Sequence, residues 1–442
     1  MRYPWSTAGA QAGTRQAAPA RRPAAARPGQ ARQQDQRASG DPLLPPPAGE
    51  GRAEGACEAP GLSGHSRRLP PHPSPAGTEE WWNRRWVCAL AIVLALSGCA
   101  TRAPIAPAPD PHALRADIER RIPAAVPDRA GWAHDIQVAF SAQRIAPGVE
   151  NICAVLAVIE QESGYKSDPP VAGLPAIARG EIDRRAAALH IPRLLVDGAL
   201  RLPSTDGRRY GDRLARVRTE RELSELYEDL ISRVPMGSRL FAGRNPVQTG
   251  GAMQVAIPFA EANAAGYPWP VQDSIRDEVF RRRGGLYFGI LHLLGYQTPY
   301  TRKIHRFADY NAGRYASRNA AFQAAVSRAS GLPLELDGDL LLPGAPLDRP
   351  GRTETAVRSL GPQLGMDERG IRRALELGDR LEFNDSALFR RVFAIAEAHA
   401  GSPLPRALVP GIRLDSPKIT RELTTAWFAE RVDARYRQCL QR

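Results

Sequence analysis

An abrupt change in composition near Trp81 divides this 442-residue chain and limits where a folded core can form. Residues 1–80 are rich in Ala, Pro, Gly and Arg and show no helical or strand period. Such a segment buries too little apolar surface to offset the entropy lost on ordering. We therefore interpret residues 1–80 either as a disordered extension or as the product of a start codon assigned too far upstream.

Residues 81–98 have the composition of a secretory signal. Arg84 and Arg85 precede an apolar run at residues 87–96, and small residues lead to Cys99. This order of a basic segment, an apolar core and small residues is typical of a signal peptide. The core is too short to cross a bilayer as a helix, which takes roughly 20 residues. A plain signal peptide and a short uncleaved anchor are both consistent with the run itself.

The end of this run, Leu96-Ser97-Gly98-Cys99, resembles a bacterial lipobox. In such signals the Cys after the cleavage point carries the lipid, so the resemblance implies that a lipid-modified Cys99 begins the mature protein. Residues 99–111 would then form a Pro/Ala tether. The residue after Cys99 is Ala100 and not Asp, which in lipoproteins of this type implies the outer membrane. We therefore expect an anchor on the periplasmic face of the outer membrane of a Gram-negative bacterium.

Helical periodicity dominates the rest of the chain and predicts a mainly α protein. Thr219 and Glu222 form a capping box ahead of one strong helical pattern. A long pattern at residues 274–296 contains Gly284-Gly285, which marks a weak point, a bend or a close helix contact. The other helical patterns lie at residues 113–122, 132–145, 149–163, 352–364, 367–377, 385–400 and 416–441.

A carboxylate at the end of an apolar helix is the first chemical signal. The pattern at residues 152–159 ends in Glu160-Gln161-Glu162-Ser163-Gly164-Tyr165. Burial raises the pKa of a carboxyl group, and a group still protonated near neutral pH can protonate the leaving oxygen of a glycosidic bond. Helical spacing places Glu160 and Glu162 on either side of the apolar stripe and does not choose between them. An ordinary polar helix end would have the same pattern.

Two further segments carry groups suited to a carbohydrate. Gly250-Gly251-Ala252-Met253-Gln254-Val255 combines a permissive backbone with an amide that donates and accepts hydrogen bonds. Ala308-Asp309-Tyr310-Asn311-Ala312-Gly313 ends another helical pattern with a phenol and an amide. Taken singly, the first is also typical of a turn before a helix and the second of a helix C-cap.

In their order, the three segments resemble the motifs of the lysozyme-like lytic transglycosylases, over about residues 130–330. That family has a catalytic Glu followed by Ser at a helix end, then a Gly-Leu-Met-Gln loop, then an Ala-Tyr-Asn-Ala-Gly segment. The resemblance selects Glu162 as the acid. It implies a lysozyme-like domain that cleaves peptidoglycan between N-acetylmuramic acid and N-acetylglucosamine and leaves 1,6-anhydro ends. The residues that it implies for substrate binding are Ser163, Tyr165, Met253, Gln254, Tyr310 and Asn311.

The spacing of the motifs departs from that family. About ninety residues separate Glu162 from Met253, whereas the family has a couple of dozen. We therefore predict an insertion at about residues 166–248 within a catalytic domain at residues 112–331. A helical C-terminal region at residues 332–442 follows, beginning with a Pro-rich loop. The chain also resembles bacterial lipoproteins with a DUF1615-type domain, and this likeness extends through the C-terminus.

Three other functions stay open. A goose-type lysozyme would hydrolyse the same bond with a second carboxylate, for which Asp168 and Asp309 are candidates. A non-catalytic envelope lipoprotein would bind glycan as a tether or assembly factor. An α-helical surface lipoprotein unrelated to lysozyme would hold Glu162, Met253 and Tyr310 far apart.

Charge and cysteine content limit the partners. The net charge of +13 suits peptidoglycan strands and anionic lipid more than nucleic acid, although a solvated Arg-rich surface explains most of it. With Cys99 lipid-modified, Cys153 and Cys439 would either form a disulfide, which persists in an oxidising compartment, or stay as separate thiols. The eight His residues lack the spacing of a metal site, and we expect neither a metal nor a cofactor.

Overall fold

The computed structural model describes residues 110–233, 242–414 and 422–442, together with Met236 and Arg239. The predictions for residues 1–109, including the signal, lipid-modified Cys99 and most of the tether, lie outside the described residues. The part that is described is mainly α-helical, which confirms the predicted mainly α class. None of the helices in that part is both long and apolar enough to cross a membrane.

Most of the predicted helical patterns correspond to helices in the described ranges, but the patterns at residues 274–296 and 352–364 each divide into two helices, and the helix at residues 316–330 was not predicted. They are α1 (Pro111–Arg121), α2 (Arg129–Ala142), α3 (Val149–Glu162), α4 (Leu174–Ala188), α5 (Arg193–Leu200), α6 (Tyr210–Leu214), α7 (Glu220–Ser232), α8 (Ile257–Ala262), α9 (Ile275–Phe280), α10 (Arg282–Leu294), α11 (Lys303–Ala312), α12 (Ala316–Ser330), α13 (Arg352–Ser359), α14 (Gly361–Leu364), α15 (Glu368–Leu375), α16 (Ala387–Ala400) and α17 (Thr425–Leu440). Two short antiparallel pairs join β1 (Thr249–Gly250) to β2 (Val255–Ala256) and β3 (Arg413–Leu414) to β4 (Leu423–Thr424).

The first hydrophobic core surrounds α3. Every residue from Ile152 to Ile159 is buried, because the helix is apolar on all sides over this stretch. α3 packs mainly against α17, and α17 also packs against α11. Phe428, Val432 and Tyr436 recur every fourth residue and give α17 the apolar stripe for these contacts. The last helix therefore belongs to the same core as α3, although it follows the second group of helices in sequence.

The second core lies along α12 and contains residues of α13 to α16. Phe322, Phe383 and Phe389 contact one another in it. The Pro-rich segment before α13, predicted as a loop, is irregular but packed. The amide of Gly338 donates to the Gln323 side chain at 2.8 Å, and Leu340 is 4% exposed. The segment therefore packs against α12 and is not an extended linker between two domains.

The insertion forms helices that the sequence only partly predicts. The capping box of α7 is confirmed, since the Thr219 hydroxyl accepts from the amide of Glu222 and the Glu222 side chain returns to the amide of Thr219. α4, α5 and α6 were not predicted, because α4 has a weak apolar pattern and α5 and α6 are only eight and five residues long. The four helices enclose an apolar cavity, which is described below.

Candidate active site

Glu162 is the last residue of α3 and is half-buried. Its neighbour Glu160 forms an ion pair with Arg435 of α17, with Nε and Oε1 3.6 Å apart. Ser163 ends the helix: its amide and its hydroxyl both donate to the carbonyl of Ile159, at 3.1 Å each. Ser163 is thus fixed at the helix end directly after Glu162, and Glu160 is tied to α17.

The chain reverses direction directly after Glu162. Gly164 and Tyr165 both have positive φ, at 58° and 61°, and this folds Tyr165 back along α3. The Tyr165 hydroxyl donates to the carbonyl of Leu156 at 3.4 Å, and its ring meets the Trp132 ring edge-on. Burial raises the pKa of Tyr165 further above its usual value. Tyr165 is 7% exposed, so in this structure it fixes the turn beside Glu162 rather than offering a surface for a sugar.

The second motif is a tight turn between β1 and β2. Gly251 has φ +76°, and a Cβ there would lie 2.1 Å from the carbonyl oxygen of Val279, so the turn is pressed against the end of α9. Met253 is fully buried, with its side chain against Gly289 of α10. Its contribution is therefore packing beneath the turn.

Gln254 lies at the end of this turn and is half-buried. Its φ is +49°, a left-handed conformation that costs a non-glycine residue roughly 1 kcal/mol or more and recurs at functional sites. Its side-chain amide donates to the carbonyl of Gly251 at 3.3 Å. Of the two residues in the turn that were predicted to bind substrate, Met253 and Gln254, only Gln254 has a side chain that reaches the surface.

The third motif ends α11 and touches the second directly. The Tyr310 hydroxyl donates to the carbonyl of Met253 at 2.6 Å. The Asn311 side-chain oxygen accepts from the Thr425 hydroxyl at 3.0 Å, which ties the end of α11 to the start of α17. Gly313 ends the helix with φ 110°, so the predicted glycine C-cap is present as well.

Contacts along the helices show that α3 and α11 run in the same direction. Lys303, the first residue of α11, donates to the Asn151 side chain at the start of α3, at 2.8 Å. α17 runs opposite to both, since Cys439 meets Cys153 and Arg435 meets Glu160, while Tyr436 meets Phe307 and Thr425 meets Asn311. Glu162 and Asn311 therefore end their helices on the same side of the first core. We call the ends of α3 and α11, with the turn at residues 251–254, the motif end.

A family model described as "Protein of unknown function (DUF1615)" matches residues 125–442. The chain belongs to the DUF1615 family. It is also 52% identical over 355 residues to the "Uncharacterized protein YaiW" of Escherichia coli (strain K12), which covers 80% of this chain and 97% of that protein. No solved structure matches the chain.

The DUF1615 match includes more than the motif end. It spans the insertion, the second core and α17. The predicted DUF1615 likeness through the C-terminus is thus confirmed. The insertion and the last helix are consequently parts of the family's shared chain and not additions peculiar to this protein.

Cys153 of α3 and Cys439 of α17 form a disulfide in this DUF1615 protein, with Cα atoms 5.4 Å apart. The bridge joins residues 286 positions apart in sequence. It holds the C-terminal helix against the helix that carries Glu162. Of the two states that the sequence left open for these cysteines, the structure contains the bonded one.

The two carboxylates considered as a second catalytic group each have other partners. Asp309 is completely buried; it accepts from the amides of Tyr315 and Ser317, at 3.1 and 2.7 Å, and from two tyrosine hydroxyls. Burial raises its pKa to about 7, against the lowering effect of these hydrogen bonds. Asp168 pairs with Arg221 of α7 at 3.1 Å, while burial raises its pKa. Neither carboxylate is presented as a base for an attacking water.

Sequence reasoning did not foresee the residues that α17 contributes to the motif end. Thr425 and Arg435 bind Asn311 and Glu160, respectively. The helical pattern at residues 416–441 predicts the helix but not its partner, because the contact spans more than one hundred residues of chain. Among the described residues, no group of three or more His, Cys, Asp or Glu side chains is placed to hold a metal ion.

Proposed function

We propose that this DUF1615 protein is a peptidoglycan lytic transglycosylase with a lysozyme-like catalytic domain, in which Glu162 is the general acid and base. One observation carries the proposal. Two of the three segments are in contact, because Tyr310 donates to Met253 in the turn that carries Gln254. The third lies on a parallel helix, so that Glu162 and Asn311 end their helices on the same side of the first core.

In the proposed reaction, Glu162 protonates the oxygen between N-acetylmuramic acid and N-acetylglucosamine. The substrate's acetamido carbonyl stabilises the anomeric carbon, as in the substrate-assisted exceptions to two-carboxylate catalysis. Glu162, now a carboxylate, takes the proton of the C6 hydroxyl, whose oxygen closes the 1,6-anhydro ring. One carboxyl group thus gives and regains one proton, and no second carboxylate is required.

The surroundings of Glu162 support these roles. Ser163, fixed to the carbonyl of Ile159, is placed to orient either the carboxyl group or the acetamido group. Gln254 and Asn311 are half-buried and offer amides to a glycan strand. Met253, Tyr310 and Tyr165 are buried and support the turn and the helix that carry these groups. The partner groups of Asp168 and Asp309 favour this reaction over hydrolysis of the goose-lysozyme type.

The site of action that we propose is the periplasmic face of the outer membrane. A lipid on Cys99 would tether the domain there, within reach of peptidoglycan. This part of the proposal depends on the lipobox at residues 96–99. Replacing Cys99 with Ser should lower the amount of protein in the membrane fraction without changing the products that the purified protein forms.

The decisive experiment compares Glu162→Gln with Glu160→Gln in the full chain acting on purified sacculi. General acid–base catalysis contributes about 10² to 10⁴-fold, so Glu162→Gln should lower muropeptide release by at least about 100-fold. Glu160→Gln removes only the ion pair with Arg435 and should keep most of the activity. Binding of sacculi without release by the wild type would contradict catalysis and indicate a glycan-binding role.

A further inference from the structure

The insertion leaves an unusual amount of apolar surface unpaired. α5 contains no buried residue, and the exposed fractions of Leu194 and Leu195 are 77% and 62%. Leu189 and Ile191, in the preceding turn, are 61% and 42% exposed. Contiguous apolar patches of this kind are rare on soluble monomers and mark binding sites for proteins, membranes or ligands.

A cavity of about 380 Å³ lies beneath this surface, between α4, α5, α6 and α7. Its volume is within the range of small-molecule sites, about 300–1,000 Å³. Leucine, isoleucine, valine and alanine side chains form most of its wall. Leu189, Ile191 and Leu195 belong both to the wall and to the exposed surface, so they form the mouth of the cavity. None of the motif-end residues contributes to the wall.

The charged residues of the wall leave its interior suited to hydrocarbon. Glu181 and Arg185 pair with each other at 2.5 Å, and Arg185 also donates to the carbonyl of Arg244 at 3.1 Å. Glu220 is the first residue of α7, where the helix dipole favours a carboxylate. A polar ligand would have to compete with these contacts, whereas an aliphatic chain would meet mainly aliphatic side chains.

Two arginines flank the exposed leucines of α5 in sequence. Arg193 and Arg201, at the two ends of α5, are both exposed and lie on the same element as the exposed leucines. An apolar surface interspersed with arginine is the pattern of segments that rest at the boundary between headgroups and acyl chains, and arginine attracts anionic headgroups. The apolar run at residues 87–96 is also close in sequence to the folded domain. Its end lies 14 residues before Asp110, and an extended segment of that length spans at most about 50 Å.

We infer that the insertion is a lipid-binding site: its cavity takes one long acyl chain of an anionic membrane lipid, and the turn at residues 189–195 rests among the headgroups. The aliphatic wall selects an acyl chain as the occupant, and the exposed arginines at the two ends of α5 select an anionic headgroup. This binding is separate from glycan cleavage and does not depend on Glu162. Its consequence is a second contact with the membrane, made by the folded domain itself.

The test uses the full chain in vesicles that contain phosphatidylglycerol with a photoactivatable diazirine in one acyl chain. After irradiation, mass spectrometry of peptides locates the cross-links. We expect them in residues 174–200 and 210–230, which form the cavity. Excess unlabelled phosphatidylglycerol should suppress them in the wild-type protein, which makes this arm independent of how any variant folds.

Two matched variants complete the test. Ala199 lines the cavity on α5, and Ala199→Phe should block it and lower the cavity cross-links about tenfold. Ala176 is exposed on α4 outside the cavity, and Ala176→Phe should label like the wild type. Cross-links confined to residues 87–99, or undiminished in Ala199→Phe, would overturn the inference. Self-association that Leu194→Glu abolishes, without cavity cross-links, would replace the lipid by a second copy of the chain.

Discussion

The motif end and the insertion differ in how their side chains are partnered: polar groups at the motif end are hydrogen-bonded within the protein, whereas apolar side chains of the insertion are exposed. At the motif end, Tyr310 and Asn311 each make a defined hydrogen bond to another segment, and Ser163 makes one back to its own helix. In the insertion, α5 buries none of its residues and its leucines face outward around a cavity. The first arrangement is that of a preorganised site, which must hold its groups before substrate arrives. The second is that of a surface that needs a partner to cover it.

This difference predicts where the protein tolerates change. Substitutions at the motif end should cost stability because they break contacts between elements that are distant in sequence. Substitutions on the outer face of α5 should cost almost nothing in the folded domain and should instead alter binding.

Removing the disulfide between Cys153 and Cys439 should produce the largest loss. The bridge closes a loop of 286 residues, and cross-links of such long loops contribute up to about 5 kcal/mol by restricting the unfolded chain. The double variant Cys153→Ala, Cys439→Ala should therefore unfold at a lower denaturant concentration than the wild type. Reductant should shift the wild type to the same midpoint and leave the variant unchanged. Equal midpoints for the two oxidised proteins would contradict a stabilising role.

Asp309→Asn should cost about 3 kcal/mol. The carboxylate accepts from the amides of Tyr315 and Ser317, whereas an amide side chain has one acceptor oxygen and adds donors that lack room. Denaturant unfolding measures the loss, with Asp273→Asn as a control because Asp273 is exposed. A loss below about 1 kcal/mol would mean that Asp309 does not secure the end of α11.

His292→Phe should reduce the acid sensitivity of the motif end. His292 is buried against Tyr310, and burial lowers its pKa to about 3 from a usual 6.5. The neutral ring therefore contributes stability that is present above pH 6.5 and is lost as pH falls towards 3. Between pH 6.5 and 4.5 that loss is roughly 2–3 kcal/mol. Unfolding curves at several pH values should show a smaller loss in the variant; identical pH dependence would contradict this role for His292.

Leu194→Ser should change the free energy of unfolding by no more than about 0.5 kcal/mol, because exposed substitutions away from special features are usually neutral. By contrast, Leu156→Ala in α3 should cost about 2–5 kcal/mol, since Leu156 is 2% exposed. Parallel denaturant titrations compare the two. A costly Leu194→Ser would show that the outer face of α5 is already packed.

The motif end was predictable from the sequence to a considerable extent. The apolar run at residues 152–159 specifies a buried helix that ends at Glu162, and Asn311-Ala312-Gly313 specifies the end of α11. These features depend on neighbours within a few positions of chain. The capping box of α7 was predictable for the same reason.

Features that depend on distant contacts were not predictable in this way. The pattern at residues 274–296 predicts a single helix, but the chain breaks at Arg281 into α9 and α10. A Cβ on Gly284 would lie 1.9 Å from the carbonyl oxygen of Glu278, so the glycine allows the two helices to meet at this tight corner. Similarly, the cavity of the insertion exists only because four helices meet, and α7 alone among them was predicted from the sequence.

The end groups of the released glycans test the central claim most directly. The wild-type full chain and its Glu162→Gln variant are each incubated with purified sacculi, and the soluble muropeptides are analysed by mass spectrometry. Our account predicts 1,6-anhydro-N-acetylmuramic acid ends from the wild type and at least about 100-fold fewer from Glu162→Gln. Reducing ends in place of anhydro ends, or equal release by the two proteins, would contradict it.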